Sequence, residues 1–367
     1  MPAMQPFVAR PSPPALLALC GALLAASLLP AGASSSGERL EVGDMVMMDR
    51  FRAWRAEHNR SYASAEEALQ RFEVYRQNAE FIDATNLRGG ITYQLAENEF
   101  ADLTQEEFLA TYTGYYADDF GANDHSVITT SAGDIEGAVD ADPGFSCSMD
   151  VPASVDWRAQ GAVVPPKSQS STCSSCWAFV TAATIESLNK IKTGKLVSLS
   201  EQQLVDCDSY DGGCNMGSYG RAYKWVIENG GLTTEADYPY TARRGPCNRA
   251  KSAHHAAKIT GFQKVPPRNE AALQAAVARQ PVAVAIEVGS GMQFYKGGVY
   301  SGPCGTRLAH AVTVVGYGAD AASGANYWII KNSWGQSWGE RGYIRMRRDV
   351  GGPGMCGLTL DVAYPTL

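Results

Sequence analysis

The chain predicts an α+β architecture of two lobes, one helical and one built on a sheet, with a further helical segment ahead of both. Three observations carry this. Between residues 176 and 192, Trp177, Val180, Ala183 or Thr184, Leu188 and Ile191 recur at three- and four-residue steps, the period of a helix with one buried face. Beyond Ile259 the pattern changes to short β-branched and aromatic runs at 282–286, 311–315, 327–331 and 343–346, separated by Gly-rich turns. Helices come first and strands later, so the two kinds of element segregate instead of alternating.

Each segment has its own reason. Arg10 precedes an apolar stretch from 15 to 29, and Ala31-Gly32-Ala33 offers small residues for cleavage, so residues 1–33 read as a signal peptide. That stretch is too short for a membrane span, and no later one approaches twenty apolar residues. In residues 34–150, Glu67, Arg71, Tyr75, Asn78, Ile82 and Asn86 follow one another at gaps of four, four, three, four and four, one stripe of a helix over 67–86. From Tyr115 to Asp150 the chain turns Gly-, Asp- and Ser-rich, as an exposed, cleavable linker does. Residues 151–367 form the largest unit. Its first helix has Ser175 as candidate N-cap and Gly194 as stop, a second spans 200–205 behind Ser200, and a third spans 219–228 before Gly230-Gly231.

Chemistry concentrates around two distant residues. Cys176 lies in Gln169-Ser170-Ser171-Thr172-Cys173-Ser174-Ser175-Cys176-Trp177, and His310 opens a strand that is followed by Lys331-Asn332-Ser333-Trp334-Gly335. A thiol at a helix N-terminus is expected to ionise readily, because the helix dipole favours the thiolate. The Cys173-x-x-Cys176 spacing also suits a redox pair or half a zinc site, but no second pair at ligand spacing follows, so no bound metal is expected. His310 alone would read as a core histidine, and His254-His255 as a solvated pair.

Cys176, His310 and Asn332, in that order and spacing, resemble the papain family of cysteine endopeptidase precursors, and the likeness covers nearly everything after residue 40. The resemblance implies a papain-like fold with the active site in the cleft between a helical and a β-barrel-like lobe. It assigns the nucleophile to Cys176, the general acid and base to His310, the orienting amide to Asn332 and an oxyanion donor to Gln169, with Trp334 shielding the His310–Asn332 bond. It implies disulfides Cys173–Cys214, Cys207–Cys247 and Cys304–Cys356, leaving Cys147 and Cys176 free. The 67–86 stripe resembles the ERFNIN pattern of papain-type propeptides, with Tyr75 in place of Phe. Residues Ala96, Asn98, Phe100 and Asp102 resemble the second propeptide motif, with Ala96 in place of Gly. Residues 34–150 are thus expected to be an inhibitory propeptide and 151–367 the peptidase.

Substrate contacts are carried over in the same way. Gly217 is expected to pair with the substrate backbone and Met216, where Gly is usual, to narrow that floor. Asp361 falls at the base of the pocket for the second residue before the scissile bond, with Ala285 and Leu308 as walls and Ser218 and Tyr219 at the mouth. A carboxylate there, as in cathepsin B, implies tolerance of basic as well as hydrophobic side chains. Three residues, not the usual two, separate Gln169 from Cys173. The competing reading is a catalytically impaired binding or storage protein of the same fold.

Charge divides at the same boundary. Residues 34–150 hold 8 Lys and Arg against 23 Asp and Glu, while residues 151–367 hold 22 against 15. Basic residues in the second part are scattered, with no cluster or aromatic interleaving, which argues against nucleic-acid binding. The expected partners are protein or peptide substrates, the chain's own propeptide and cystatin-type inhibitors. The expected protein is a monomer with no cofactor and no membrane contact, in the secretory pathway, extracellular or in a vacuole or lysosome.

Overall fold

Residues 35–117 and 151–367 are described in the computed structural model. The expected signal peptide, most of the expected linker and Cys147 lie outside them. The described residues from 47 onward form one compact unit, and residues 35–46 are the opening of α1 (Ser35–Glu57).

The N-terminal segment continues with α2 (Ala65–Asn86), the short strand β1 (Tyr93–Leu95) and α3 (Gln105–Tyr112). The α2 stripe explains itself residue by residue. Arg71 donates to the Asp102 carbonyl and to Glu107, and Asn78 donates to the carbonyls of Ala101 and Leu103. Asn86 both donates to the Leu95 carbonyl and accepts from its N–H. Tyr75 is buried with its hydroxyl on Glu97, a bond that Phe could not make, and Ile82 packs beneath. The first motif is therefore the clamp that holds the second. Asn98, from that second motif, donates to the Gln293 carbonyl, while Ala96 donates to the Phe294 carbonyl and ties the segment to the body.

In the body, β2 (Val155–Asp156) precedes α4 (Cys176–Thr193), α5 (Glu201–Cys207), α6 (Tyr219–Asn229) and the one-turn α7 (Arg249–Ser252). Gly194 ends α4 at φ 77°, the left-handed stop its position predicts, and Ser200 caps α5 by accepting from the Gln203 N–H. Then come β3 (Gly261–Lys264), α8 (Glu270–Val277), β4 (Val282–Ile286), β5 (Tyr295–Tyr300), β6 (His310–Ala319), β7 (Asn326–Lys331), β8 (Tyr343–Arg347) and β9 (Val362–Thr366). The sheet runs β1-β5-β8-β7-β6-β4-β9-β3, with β2 added against β6. The α+β expectation and all four anticipated strands are met. The elements that went unread have physical reasons: Pro365 interrupts the apolar run of β9, two glycines break that of β5, and α3 and α8 are each only 8 residues long.

Candidate active site in the interlobe cleft

The cleft is built where α4 meets the sheet. Cys176 is the first residue of α4 and is fully buried. Ser175 occupies the N-cap position, but its side chain makes no capping bond; its hydroxyl pairs with the Tyr240 hydroxyl at 2.7 Å. His310 opens β6 and Asn332 follows β7, adjacent antiparallel strands whose register brings them side by side. The His310 Nε2 to Asn332 Oδ1 distance is 2.8 Å, and the Ser333 N–H donates to the same oxygen, also at 2.8 Å. Trp334 stacks on the imidazole with ring centroids 4.7 Å apart at 23° and covers that bond. Nδ1 of His310 is buried without a hydrogen-bond partner. One residue on, the Ala311 N–H donates to Cys176 Sγ at 3.5 Å, so thiol and imidazole share the same end of β6.

The lengthened loop before Cys173 turns outward. Ser170 has φ 67°, and Ser171 and Thr172 are exposed. Gln169 stays buried behind them: its Oε1 accepts from Ser333 Oγ at 2.8 Å and its Nε2 lies 3.5 Å from the Cys173 carbonyl. The Tyr240 hydroxyl holds the Gln169 carbonyl at 2.8 Å, and Thr172 Oγ1 donates to the Ala242 carbonyl at 2.8 Å.

Through this cleft runs the N-terminal segment. Gly114 and Tyr115 both donate to the Ala309 carbonyl at 3.0 Å, Gly217 donates to the Gly114 carbonyl at 3.0 Å, and Tyr116 donates to the Gly217 carbonyl at 3.3 Å. Tyr115 and Gly217 form a parallel bridge. A Cβ on Gly114 would lie 2.2 Å from the Ser174 carbonyl oxygen, so only glycine passes this close to the start of α4. The expected linker therefore begins later than Tyr115, which is 1% exposed. Burial pushes the Cys176 thiol up to about 12, against backbone N–H groups that include that of Gly114. Burial likewise lowers His310 to about 4, against the Asn332 bond. The readily ionised thiol expected from the helix dipole is thus absent while the segment is in place, because loss of water outweighs the dipole.

Tyr115 fills the Asp361 pocket. Its ring stacks on Tyr219 at 5.0 Å and 18°, its hydroxyl donates to Asp361 Oδ2, and it packs in one cluster with Ala285 and Leu308. Lys264 Nζ stands 3.7 Å from Asp361 Oδ1. Tyr219 donates through its hydroxyl to the Asp361 carbonyl at 2.8 Å and is the stacking floor, not a residue of the mouth. Ser218 is also not at the mouth: it is fully buried as the α6 N-cap, with its Oγ accepting from the Gly220 N–H. Met216 is 40% exposed and lines the cleft with Tyr115, Leu308 and Ala309, and its φ of 102° is the reason glycine suits the position. Gly217 must be glycine, since a Cβ would meet the Trp177 ring at 2.5 Å. Gly114, Tyr115 and Lys264 were missed from sequence, because nothing local marks a residue that acts only by crossing a distant cleft.

Two further features brace the site. The three disulfides join Cys173–Cys214, Cys207–Cys247 and Cys304–Cys356, and among the described residues Cys176 is the free thiol. Behind α4, Lys167 donates to both carboxylate oxygens of Glu201 at 2.9 Å, and Glu186 stands 3.6 Å from Lys167 and 3.7 Å from Lys331. Lys331 precedes Asn332 and Lys167 lies two residues before Gln169, so this charge group ties the strand end at Asn332 and the loop of Gln169 to the helix of Cys176.

Comparison with known proteins agrees with this geometry. Residues 151–366 match the family described as papain family cysteine protease, and residues 51–108 match the cathepsin propeptide inhibitor domain (I29). The chain is 46% identical over 327 residues to cysteine endopeptidase RepA of Oryza sativa subsp. japonica, covering 86% of this chain and 84% of that one. It is 44% identical over 335 residues to fruit bromelain of Ananas comosus, covering 91% and 90%. Among solved structures, a recombinant stem bromelain precursor superposes with a TM-score of 0.77 at 42% identity, over 88% of this chain and 99% of that chain. The proform of Amb a 11, a cysteine protease and ragweed pollen allergen, gives a TM-score of 0.77 at 40% identity, over 88% and 94%. With the inhibitor domain ahead of the peptidase and its chain lying across the Cys176 cleft, this protein belongs to the papain family of cysteine proteases.

Proposed function

We propose that Cys176 is the nucleophile of this endopeptidase, His310 its acid and base, Asn332 the group that orients the imidazole, and Gln169 Nε2 together with the Cys176 N–H the oxyanion donors. Removal of the propeptide lets water back to the thiol and the imidazole, so the proton passes from Cys176 to His310. The thiolate then adds to the peptide carbonyl, His310 returns the proton to the departing amine, and water hydrolyses the thioester through the same imidazole. The observation that carries the reading is the 2.8 Å His310–Asn332 contact, which commits Nε2 and leaves Nδ1 for the thiol on the neighbouring helix. The test is stoichiometric labelling of the matured protein by a thiol-directed peptidyl epoxide, with Cys176→Ser as control. A matured protein that stays unlabelled is a catalytically impaired homologue.

The domain plan that fits is a signal peptide over 1–33, a propeptide over 34–150 and a peptidase from 151. Entry to the secretory pathway follows from that plan and from the three disulfides; the mature enzyme then acts outside the cell or in a vacuole or lysosome, where cystatin-type inhibitors would meet it. In the Asp361 pocket the propeptide places an aromatic ring with a polar tip, which supports a side chain that is apolar along its length and donates a hydrogen bond at its end. Because Lys264 already faces the carboxylate, arginine is tolerated beside hydrophobic residues and not required. Matched substrates with Leu, Tyr or Arg at the second position before the scissile bond, assayed on wild type and Asp361→Ala, test this. Loss of the Tyr and Arg rates relative to Leu is expected in the variant; an unchanged ratio removes Asp361 from specificity.

A further inference from the structure

The chain contains a single Asn-x-Ser/Thr triplet with a residue other than proline in the middle, Asn59-Arg60-Ser61, and it lies in the propeptide. An asparagine at this spacing from a hydroxyl residue is the acceptor pattern for N-linked glycosylation. The triplet follows the end of α1. Asn59 has φ 50°, its N–H donates to the Ala56 carbonyl at 3.4 Å, and the Arg60 N–H donates to the Arg55 carbonyl at 2.9 Å, the paired bonds that close a helix on a left-handed residue. That accounts for the backbone at position 59, where glycine would serve better. It does not account for the side chains: Asn59 and Ser61 are both exposed, and among the described residues neither side chain makes a hydrogen bond. Arg60 between them is tied down, since its guanidinium donates to the Glu99 carbonyl and stands 3.7 Å from Asp102. Glu99 in turn accepts from Ser337 Oγ of the peptidase at 2.6 Å. The middle residue thus anchors the turn, while the amide and the hydroxyl on either side of it face water.

We propose that Asn59 is an N-glycosylation site, so that the zymogen carries one N-linked glycan on its propeptide and the peptidase released from it carries none. In the transfer, the Asn59 amide nitrogen bonds to the anomeric carbon of an oligosaccharide carried on a lipid diphosphate. The bond from that carbon to the diphosphate oxygen breaks, the lipid diphosphate leaves, and the amide gives up one proton. The folded propeptide accommodates the product without rearrangement. Arg52, Arg55, Ala56 and Arg60 line, with Asn59, an open groove of about 330 Å³ in which the first sugars have room and guanidinium donors. The proposal rests on the reading of residues 1–33 as a signal peptide, because the transfer takes place in the secretory pathway.

The test expresses the full-length chain in yeast as Cys176→Ser, so that the propeptide stays attached, and compares its gel mobility before and after a peptide N-glycosidase. The secreted zymogen should lose mass in a single step, and mass spectrometry should find an aspartate at position 59 where the glycosidase has released the sugar. Asn59→Gly, which suits the left-handed turn and so keeps the fold, should abolish the step. Ser61→Ala should abolish it too, and Ser61→Thr, which keeps the hydroxyl, should retain it. Wild type allowed to mature should show no step in its peptidase. A secreted zymogen without the step, a step that survives Asn59→Gly or Ser61→Ala, or a step in the matured peptidase overturns the proposal. A chain that keeps residues 1–33 and stays in the cytosol refutes the signal-peptide reading, and the glycan falls with it.

Discussion

The Tyr115 hydroxyl of the propeptide donates to the Asp361 carboxylate while its ring lies flat on Tyr219, so the inhibitory segment occupies the pocket floor with a bond to a charged group. Hydrogen bonds to charged groups contribute about 1.5–3 kcal/mol. Tyr115→Phe should therefore weaken the propeptide as an inhibitor by roughly tenfold or more, while leaving the stacking in place. The inhibition constant of added propeptide on matured enzyme measures it; an unchanged constant would mean that the hydroxyl is equally well satisfied by water.

Gly114 makes latency a matter of backbone clearance. Gly114→Val places a Cβ within 2.2 Å of the Ser174 carbonyl oxygen, so the segment must lift off the start of α4 and readmit water to Cys176. The variant zymogen should take up an active-site epoxide at neutral pH, where wild type does not. Retained latency in Gly114→Val would show that α3 and Tyr115 suffice to close the cleft.

Acid should destabilise the zymogen, and the sign follows from three groups. Burial lowers His310 from its ordinary 6.5 to about 4, so the stability gained by keeping it neutral is complete above about 6.5 and is lost as pH falls toward 4. Asp83, held down by its bond to Arg50, and Glu107, held down by its bond to Arg71, contribute stability that is present above their ordinary values and lost as pH falls through their depressed ones. The Tm of a Cys176→Ala zymogen should fall from pH 6.5 to 4, and His310→Gln in that background should flatten the upper part of the curve. A Tm independent of pH over that range contradicts the account. Among the described residues, the ion pairs of Arg50 with Asp83 and Glu97, of Arg60 with Asp102 and of Arg71 with Glu107 form within the propeptide. Acid therefore loosens the propeptide's own fold and the buried histidine beneath it.

Asn86 offers a stability test confined to the propeptide. Its amide makes paired bonds at 2.8 and 2.9 Å with the backbone of Leu95, and Asn86→Ala leaves both groups without that partner. The loss is expected to be about 1–3 kcal/mol, seen as faster proteolysis of the zymogen at neutral pH.

Much of this was legible in the sequence because periodicity and spacing report local and family-wide constraints. The α4 helix, its glycine stop, the four strands, the α2 stripe and the association of His310 with Asn332 belong to that class. What escaped was non-local. Tyr115 and Gly114 sit in an unremarkable stretch whose meaning comes from a cleft about sixty residues and more further along. Ser218 looked like a mouth residue by position and proved to be a helix cap, since a cap and a pocket rim are both polar and both precede a helix. The α3 helix carried a readable capping box at Thr104 and Glu107, but its eight residues are too few for periodicity to stand out.

The central claim is that the propeptide keeps Cys176 a neutral thiol and that its departure creates the reactive pair. The most direct measurement is the rate of Cys176 alkylation by iodoacetamide as a function of pH, for zymogen and matured enzyme side by side. The account predicts a zymogen that reacts negligibly from pH 4 to 9, in keeping with a thiol pushed up to about 12, and a matured enzyme that reacts fast well below the ordinary thiol range. Equal rates and equal pH profiles in the two forms would contradict it.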